Sequence, residues 1–368
     1  VKLGKNGNLP DNISPHDLGS IVQAACLTHD IGNPPFGHAG EFAIQSWLNF
    51  IDGDKYLRAK YLSGLKDNEK DDIKNFEGNA QGLRIITNLE YNTNDGGIQL
   101  TYATLGSFIK YPWTHGSGPD NKKNKFGYFI SEKEIIKNIA NELGLIKLSE
   151  NRWCRHPLVY FVEAADDICY ALIDLEDGIE MKVLDFDKAE KILLSLYKKD
   201  LPTSYREIDK SAYRHKLAYL RGKAMETLID DVIAAFLKKE TEIMEGNEIG
   251  DLFDHCKNRS KEAINAAKDI SMKEVFVDER KIQIEIGAYS SIDTLLTAFF
   301  EAALDYYKRN DKTKISFKSS RILDLLGTNK PQPNWTLYES YRRAMDYVSG
   351  MTDNYATLLA QQIRGLSN

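Results

Sequence analysis

Cysteine is scarce in this sequence of 368 residues, and its cysteines form no CxxC pair. The four cysteines are Cys26, Cys154, Cys169 and Cys256. Disulfide frameworks and zinc ribbons need several cysteines at short, regular spacing, so the sequence argues against both classes of protein. We expect reduced thiols and a cytoplasmic location.

Long apolar runs are lacking as well. No stretch of about 18 apolar residues occurs, so we expect neither a membrane span nor a signal peptide. The net charge of −6 argues against a protein that coats nucleic acid over its whole surface. Hydrophobic residues make up 42% of the chain, which is ordinary for a globular protein with a large core.

Helical periodicity dominates the sequence that remains. Apolar residues recur at helical spacing from Leu18 to Asp30, and a second helix is predicted to start near Gly37. Residues 52–74 are highly charged, and we predict that they are exposed. Further helices are predicted at 78–89, 132–143, 156–180, 187–198, 208–240, 259–271, 290–308 and 335–363.

The segments that do not follow a helical pattern are few. We predict a turn at 94–97 and, at 113–127, a loop that closes over a site. Alternating apolar residues at 272–286 predict a pair of strands. The predicted fold class is therefore all-α with a small β-hairpin. We predict a core domain at 1–185 and a helical C-terminal lobe at 186–368 that packs on the core and forms an oligomer interface.

The first chemical signal is the pair His29 and Asp30, at the predicted end of the first helix. Neighbours on a helix point about 100° apart, so both can reach one ion only if it sits off the helix end. That end carries partial negative charge and favours a cation. Imidazole and carboxylate together suit Mn, Fe, Ni or Zn. The dipeptide alone is weak evidence, because it also occurs at His16-Asp17.

The second signal is a row of acids on the predicted helix at 158–180. Polar side chains recur there at spacings of three and four residues, at Glu163, Asp166, Asp167, Tyr170, Asp174 and Asp177. No basic residue interrupts the row, so its like charges need a counter-cation, which could be a metal ion or Arg and Lys from elsewhere. An ordinary acidic surface stripe is the alternative interpretation.

The third signal is His38 and Glu41, which lie three residues apart after a double-proline turn. A carboxylate one helical turn away can orient an imidazole, and such a pair suits a general acid that works near neutral pH. The alternative is a capping pair with no chemical role.

Taken together, these residues resemble the HD superfamily and, more narrowly, its deoxynucleoside-triphosphate triphosphohydrolases, the dGTPase-like family. Six segments carry the resemblance in the family's own order: HDIGNPPFGHAGE (29–41), NFEGNAQGLRI (75–85), FIKYPW (108–113), KFGYF (125–129), EAADDICYALIDLEDG (163–178) and DYVSGMTDNYA (346–356). The resemblance covers most of the chain, and it implies that residues 1–185 form a core that binds a metal and a nucleotide.

The resemblance also implies roles for individual residues. His29, Asp30 and Asp166 match the metal ligands, with Asp167 as the alternative to Asp166. The implied ion is Mn²⁺ or Mg²⁺, with Fe, Ni and Zn as alternatives. His38 and Glu41 match the family's catalytic pair.

For the substrate, the resemblance implies contacts with a dNTP, with dGTP as the expected one. Tyr170 would stack on the deoxyribose and exclude a 2′-hydroxyl, and Asp174 would accept from the 3′-hydroxyl. Three segments of the family contact the triphosphate, and they place Asn79, Lys110, Tyr111 and Lys125 there. For Lys110 and Lys125, a solvated loop cation is the alternative.

The expected reaction is hydrolysis at the α-phosphate to a deoxynucleoside and inorganic triphosphate. The expected partners are a homo-oligomer, hexameric by resemblance, and a nucleotide or single-stranded DNA effector. The family's first His ligand lies some tens of residues before the His-Asp pair. His16 is too close to be that residue, so we expect the ligand to precede Val1. Another HD phosphohydrolase activity, or an idle nucleotide-binding homologue, is the alternative function.

Overall fold

The computed structural model describes residues 13–90, 97–122, 124–197, 205, 212–309 and 314–366. The structure is 72% helical and contains one small antiparallel sheet of two strands. The predicted fold class, mostly helical with a small hairpin, is confirmed. The four cysteines are free, as the sequence predicts. Among the described residues, no helix combines the length and apolar character that a membrane crossing requires.

The helices and strands follow one another along the chain without a repeat. The first eight helices are α1 (Pro15–Thr28), α2 (Gly37–Gly53), α3 (Lys55–Leu62), α4 (Asp67–Lys74), α5 (Gly78–Arg84), α6 (Tyr102–Phe108), α7 (Lys133–Glu142) and α8 (Val159–Glu180). The strands between α7 and α8 are β1 (Lys147–Ser149) and β2 (Arg152–Trp153). The later helices are α9 (Phe186–Ser195), α10 (Tyr213–Met244), α11 (Asn258–Ile270), α12 (Glu279–Lys308), α13 (Phe317–Asp324), α14 (Leu337–Ser349) and α15 (Asp353–Arg364).

The predicted strand pair at 272–286 is wrong. Residues Ser271–Val275 form a π-helical turn, and α12 begins at Glu279, where the Asp278 side chain accepts from the backbone N–H of Arg280. The alternating residues Ile282, Ile284 and Ile286 are 41%, 56% and 68% exposed. Their alternation therefore does not mark one buried face of a sheet. The hairpin lies instead at β1 and β2, whose short strands carry no alternating apolar pattern.

The prediction that residues 52–74 are exposed is also wrong in part. They form α3 and α4, and the side chains of Tyr61, Leu62 and Ile73 are at most 3% exposed. Many charged residues surround these few apolar ones and hide their helical spacing in the sequence. The buried side chains belong to the largest core of the molecule.

Most of the other predicted helices agree with the structure to within a few residues where they can be compared, but the helix predicted at 290–308 begins at Glu279, within the segment predicted as strands. The predicted helix at 78–89 is α5 followed by a π-helical turn at Ile85–Leu89. The predicted helix at 335–363 is two helices, α14 and α15, with a break at 350–352. Residues 94–96 of the predicted turn lie outside the described residues, as do residue 198 and residues 208–211 of two predicted helices.

Among the described residues, four apolar cores form, and two of them are much larger than the others. The first joins α2, α3 and α4 to α12, α13, α14 and α15, so it brings together segments more than 200 residues apart. The second packs α8 against α9, α10 and α11. Side chains from both sides of residue 185 contribute to each of these two larger cores. The division into two domains at that position stays a prediction.

The half-buried His156, which precedes α8, should make the stability of the fold depend on pH. The Nδ1 atom of His156 accepts from the backbone N–H of Leu158 at 3.3 Å and lies 3.2 Å from the Ser107 hydroxyl. Burial lowers the pKa of His156 to about 4. The folded state therefore disfavours protonation of His156. Its contribution to the free energy of unfolding is fully present above about pH 6.5, the pKa of histidine in the unfolded chain, and is lost as the pH falls toward the pKa in the folded state.

We expect His156 to account for a loss of about 2 kcal/mol in the free energy of unfolding between about pH 7.5 and pH 5. Urea unfolding of the wild type and of His156→Gln at both pH values measures this share, because the contributions of other groups cancel in the comparison. Glutamine keeps an acceptor for Leu158 but does not titrate. An equal loss in the two proteins would contradict the prediction.

Candidate active site

A cleft of about 320 Å³ opens where the end of α1, the start of α2, α5, α8 and the start of α12 meet. Its volume lies in the range of small-molecule sites. Nine of the eleven residues to which the resemblance assigns a role line this cleft: His29, Asp30, His38, Glu41, Asn79, Lys110, Lys125, Asp166 and Tyr170. Two others, Tyr111 and Asp174, are not among the lining residues.

Close backbone packing brings the end of α1 against α5. A Cβ atom added at Gly32 would lie 2.0 Å from the carbonyl oxygen of Gly78 and 2.2 Å from the backbone nitrogen of Gly82. Since real Cβ atoms do not come so close to backbone, only glycine fits at position 32. This contact holds the His29-Asp30 pair next to the helix that carries Asn79.

The turn that leads into α2 has a strained backbone. Phe36 adopts a left-handed conformation with φ of 67°, which non-glycine residues rarely adopt. Its backbone N–H donates to Oδ1 of Asp353 at 2.8 Å, and Asp353 lies in the first turn of α15. A C-terminal helix thus stabilises the conformation that directs the start of α2, and with it His38, toward the cleft.

An imidazole and two carboxylates meet at one end of the cleft. His29 Nε2 lies 3.3 Å from Asp30 Oδ2 and 3.3 Å from Asp166 Oδ1. The other ring nitrogen, Nδ1, lies 2.6 Å from the carbonyl oxygen of Cys26, which orients the ring. The neighbouring Asp166 carboxylate raises the pKa of His29 to about 9. Asp167, the alternative from the sequence, pairs with Lys268 at 2.7 Å instead.

The donor chemistry of these three side chains suits a divalent cation. Among the described residues, however, no group of three or more His, Cys, Asp or Glu side chains is arranged to hold a metal ion as it stands. Nevertheless, His29 Nε2 is buried and has no well-aligned hydrogen bond. Two donors bound to one ion at about 2.0–2.1 Å lie roughly 3.0–3.4 Å apart, and the two distances from His29 match that separation. An orienting carbonyl on the second ring nitrogen is also typical of histidine ligands.

His38 lies near the start of α2, is exposed and lines the cleft. Glu41 is buried one turn further along the helix. Within the described residues, Glu41 forms no hydrogen bond with His38. Its carboxylate lies 3.2 Å from Nζ of Lys125 and 3.4 Å from the backbone nitrogen of Gly78. The pairing of His38 with Glu41 stays a prediction.

Lys125 joins two buried carboxylates. Its Nζ lies 2.9 Å from Glu77 Oε2 as well as 3.2 Å from Glu41 Oε1. Asn79 Nδ2 donates to the other oxygen of Glu77 at 2.6 Å. Burial, followed by the nearby Glu41 charge, raises the pKa of Glu77. A third neighbour of the carboxylates, Gln45, donates to Glu41 Oε1 at 3.4 Å.

Lys110 occupies another wall of the cleft. Its Nζ lies 3.4 Å from Oε1 of Glu163, a buried carboxylate one turn before Asp166 on α8. Burial alone would lower the pKa of Lys110, but Tyr111, Glu163 and Asp166 together raise it. The lysine is therefore a firmly charged group at the cleft surface.

The predicted sugar-contacting residues follow one another on α8. Tyr170 lines the cleft and is 52% exposed. Asp174 lies one turn further along, and burial together with the neighbouring Asp177 raises its pKa to about 6. Tyr111 is buried, with its ring 5.5 Å from that of Trp113. His16, in the first turn of α1, is exposed and does not line the cleft.

Several lining residues were not singled out from the sequence. Glu77 lies within one of the six segments, and only its neighbour Asn79 was chosen from it. Lys281 and Glu285 come from the start of α12, which the alternating isoleucines had predicted to be a strand. The Asp278 helix cap before them is the signal that could have corrected this prediction.

A cleft lined by imidazole, carboxylate and lysine side chains in a mainly helical fold is typical of a hydrolase that acts on phosphate esters. No protein-family model matches the chain. It is, however, 47% identical over 363 residues to a deoxyguanosinetriphosphate triphosphohydrolase-like protein of Pseudomonas aeruginosa, covering 98% of this chain and 80% of the relative. The chain therefore belongs to the deoxyguanosinetriphosphate triphosphohydrolase-like family.

More distant relatives agree with this assignment. A protein of Synechocystis with the same name is 37% identical over 370 residues, covering 96% of this chain and 79% of the relative. A deoxyguanosinetriphosphate triphosphohydrolase of Cronobacter sakazakii is 27% identical over 409 residues, covering 92% of this chain and 77% of the relative.

Proposed function

We propose that this chain hydrolyses a dNTP, with dGTP as the expected substrate, to a deoxynucleoside and inorganic triphosphate. The observation that carries the proposal is the convergence of His29, Asp30 and Asp166 in a cleft that is also lined by His38 and three lysines. Family membership supports the same reaction.

The charge of the cleft supports a need for divalent cations. Six carboxylate side chains and three lysines line it, so it would repel a triphosphate if no cation were bound. A divalent ion held by His29, Asp30 and Asp166 would supply Lewis-acid polarisation of the phosphate and activation of an attacking water. Mn²⁺ and Mg²⁺ are the ions that we propose.

The protein's own groups would act on the two sides of the scissile bond. A water oxygen would attack the α-phosphorus, and the bond between that phosphorus and the 5′-oxygen of the nucleoside would break. The departing 5′-oxygen needs a proton. His38 would donate that proton. Lys110 and Lys125 would hold the phosphate oxygens by charge, since positioning and electrostatics dominate phosphoryl transfer.

The same orientation would place the sugar along α8. Tyr170 is exposed enough to present its ring to a deoxyribose, and a stacked ring leaves no space for a 2′-hydroxyl. Asp174 follows one turn later and would accept from the 3′-hydroxyl. Lys281 and Glu285, from the start of α12, also line the cleft.

The test is a product analysis with each of the four dNTPs in the presence of Mn²⁺ or Mg²⁺. We expect a deoxynucleoside and intact triphosphate in equal amounts, separated by anion-exchange chromatography. A chelator should lower the rate by about 10²-fold or more, because a bound metal contributes several kcal/mol to the transition state. Re-addition of Mn²⁺ should restore the rate.

Other products would contradict the proposal in distinct ways. Release of pyrophosphate or orthophosphate would indicate a different HD phosphohydrolase. Nucleotide binding without any product, in protein with its metal content verified, would indicate an idle homologue. The expected homo-oligomer and the nucleotide or single-stranded DNA effector stay predictions.

A further inference from the structure

A buried guanidinium lies behind one of the cleft lysines. The Arg155 side chain is 1% exposed and is not among the residues that line the cleft. Its Nη2 donates to Oε2 of Glu163 at 2.6 Å. The other oxygen of the same carboxylate, Oε1, lies 3.4 Å from Nζ of Lys110. Glu163 therefore connects a cation in the interior to a cation at the cleft surface.

Arg155 is itself held in place from two more directions. Its guanidinium carbon lies 4.4 Å from the centroid of the Tyr160 ring, within the range of a cation–π contact. Its Nη1 lies 3.6 Å from Oε1 of Glu248. A planar guanidinium fixed on several sides leaves its carboxylate partner little freedom.

The charges explain why this chain of contacts would matter for an anion. Burial by itself would raise the pKa of Glu163, but Arg155 and then Lys110 lower it, so the carboxylate stays ionised. One carboxylate is thus shared by two cations. Within the described residues, Glu163 is the one carboxylate within 4 Å of the Lys110 ammonium, which leaves N–H groups of that ammonium to face the cleft.

We propose that Arg155 is a positioning residue: through Glu163 it fixes Lys110 at the point of the cleft where a triphosphate binds. The inference rests on the proposed function for the orientation of the substrate. Arg155 touches no reacting atom, so its effect should fall on the binding of phosphate and not on the proton transfer.

The test compares two ligands that occupy different parts of the cleft. Calorimetry with Mn²⁺ present would measure the dissociation constants of inorganic triphosphate and of deoxyguanosine for the wild type and for Arg155→Met. We expect the constant for triphosphate to rise about ten-fold or more, the scale of one lost hydrogen bond to a charged group. The constant for deoxyguanosine should stay unchanged, and the KM for a dNTP should rise more than kcat falls.

A double substitution shows whether Arg155 acts through Lys110. Lys110→Met alone should raise the dissociation constant for triphosphate. Adding Arg155→Met to it should cause no further rise, because the effects of substitutions at coupled residues do not add. Arg259→Met is the matched control. Arg259 forms an ion pair with the buried Asp231 at 3.2 Å and does not line the cleft. Its substitution should therefore change neither the dissociation constant for triphosphate nor that for deoxyguanosine.

The possible failures are distinguishable. If Arg155→Met does not fold, Arg155→Lys serves for the same test, because lysine keeps the charge but lacks the planar set of N–H donors of a guanidinium. We then expect a smaller rise in the dissociation constant, and for triphosphate alone. A rise in both dissociation constants, or an additional rise in the Lys110→Met background, would overturn the inference. If the wild type hydrolyses no dNTP, the proposed function fails, while the binding measurements still test the link from Arg155 to Lys110.

Discussion

Replacing His38 with alanine should lower kcat by about 10²–10⁴-fold, the usual contribution of a positioned general acid. His38 is exposed, lines the cleft and lies near the start of α2. The turn at Phe36 directs this end of the helix toward the cleft that His29 also lines. Removal of the His38 imidazole takes away the proton donor and leaves the lysines in place. The KM for a dNTP should therefore change little. Steady-state kinetics with the preferred dNTP and Mn²⁺ measure both constants.

The chain provides its own control for this substitution. His16 is exposed, as His38 is, and lies near the start of a helix, but it does not line the cleft, so His16→Ala should retain wild-type kinetics. Turnover of His38→Ala within a few-fold of wild type would remove His38 from the mechanism. A large rise in KM would instead indicate that His38 binds substrate.

Asp346→Ala should lower the free energy of unfolding by about 3–5 kcal/mol, because it breaks a buried ion pair on one side. Arg84 donates to Asp346 Oδ1 at 2.8 Å and to Oδ2 at 2.9 Å. These two side chains and Glu132 form a cluster of three charges, each at most 7% exposed. Gln81 adds a further hydrogen bond to Asp346 at 3.0 Å. The cluster joins α5 to α14, so its loss should be felt by the whole first core. Urea unfolding followed by circular dichroism measures the effect.

Two companion variants show whether burial causes this loss. Asp324→Ala removes an exposed pair with Arg321, at 3.2 Å, and should cost less than about 1 kcal/mol. The triple variant Arg84→Met, Glu132→Leu and Asp346→Leu replaces all three charges by apolar side chains and should be more stable than Asp346→Ala alone. A loss below about 1 kcal/mol for Asp346→Ala would show that the cluster contributes little.

The helices of this protein were largely predictable because each long one carries a regular apolar stripe. The start of α12 was not, since Ile282, Ile284 and Ile286 alternate as in a strand but are exposed on a helix. Periodicity reports which residues are apolar and not which of them are buried. The β1–β2 hairpin was missed for the opposite reason, since its few exposed residues carry no pattern.

Much of the cleft was also predictable, because its chemistry is concentrated in short segments. The His-Asp pair and the acidic row on α8 predicted that these side chains lie close together, and His29 lies 3.3 Å from both carboxylates. What could not be predicted are contacts between distant segments. Two such contacts are the ion pair between Glu77 and Lys125 and the one between Arg155 and Glu163. Both depend on how the segments pack, and the spacing of residues in the sequence does not indicate them.

The bond between Phe36 and Asp353 spans 317 residues and has a consequence for the order in which the protein matures on the ribosome. His29, Asp30 and Asp166 have all been synthesised by the time α8 emerges. At roughly 5–20 residues per second, on the order of ten to forty seconds of translation then pass before Asp353 appears. A nascent chain can therefore bring His29, Asp30 and Asp166 together well before the turn ahead of His38 is secured, and His38, the proposed proton donor, is positioned only after Asp353 has been added.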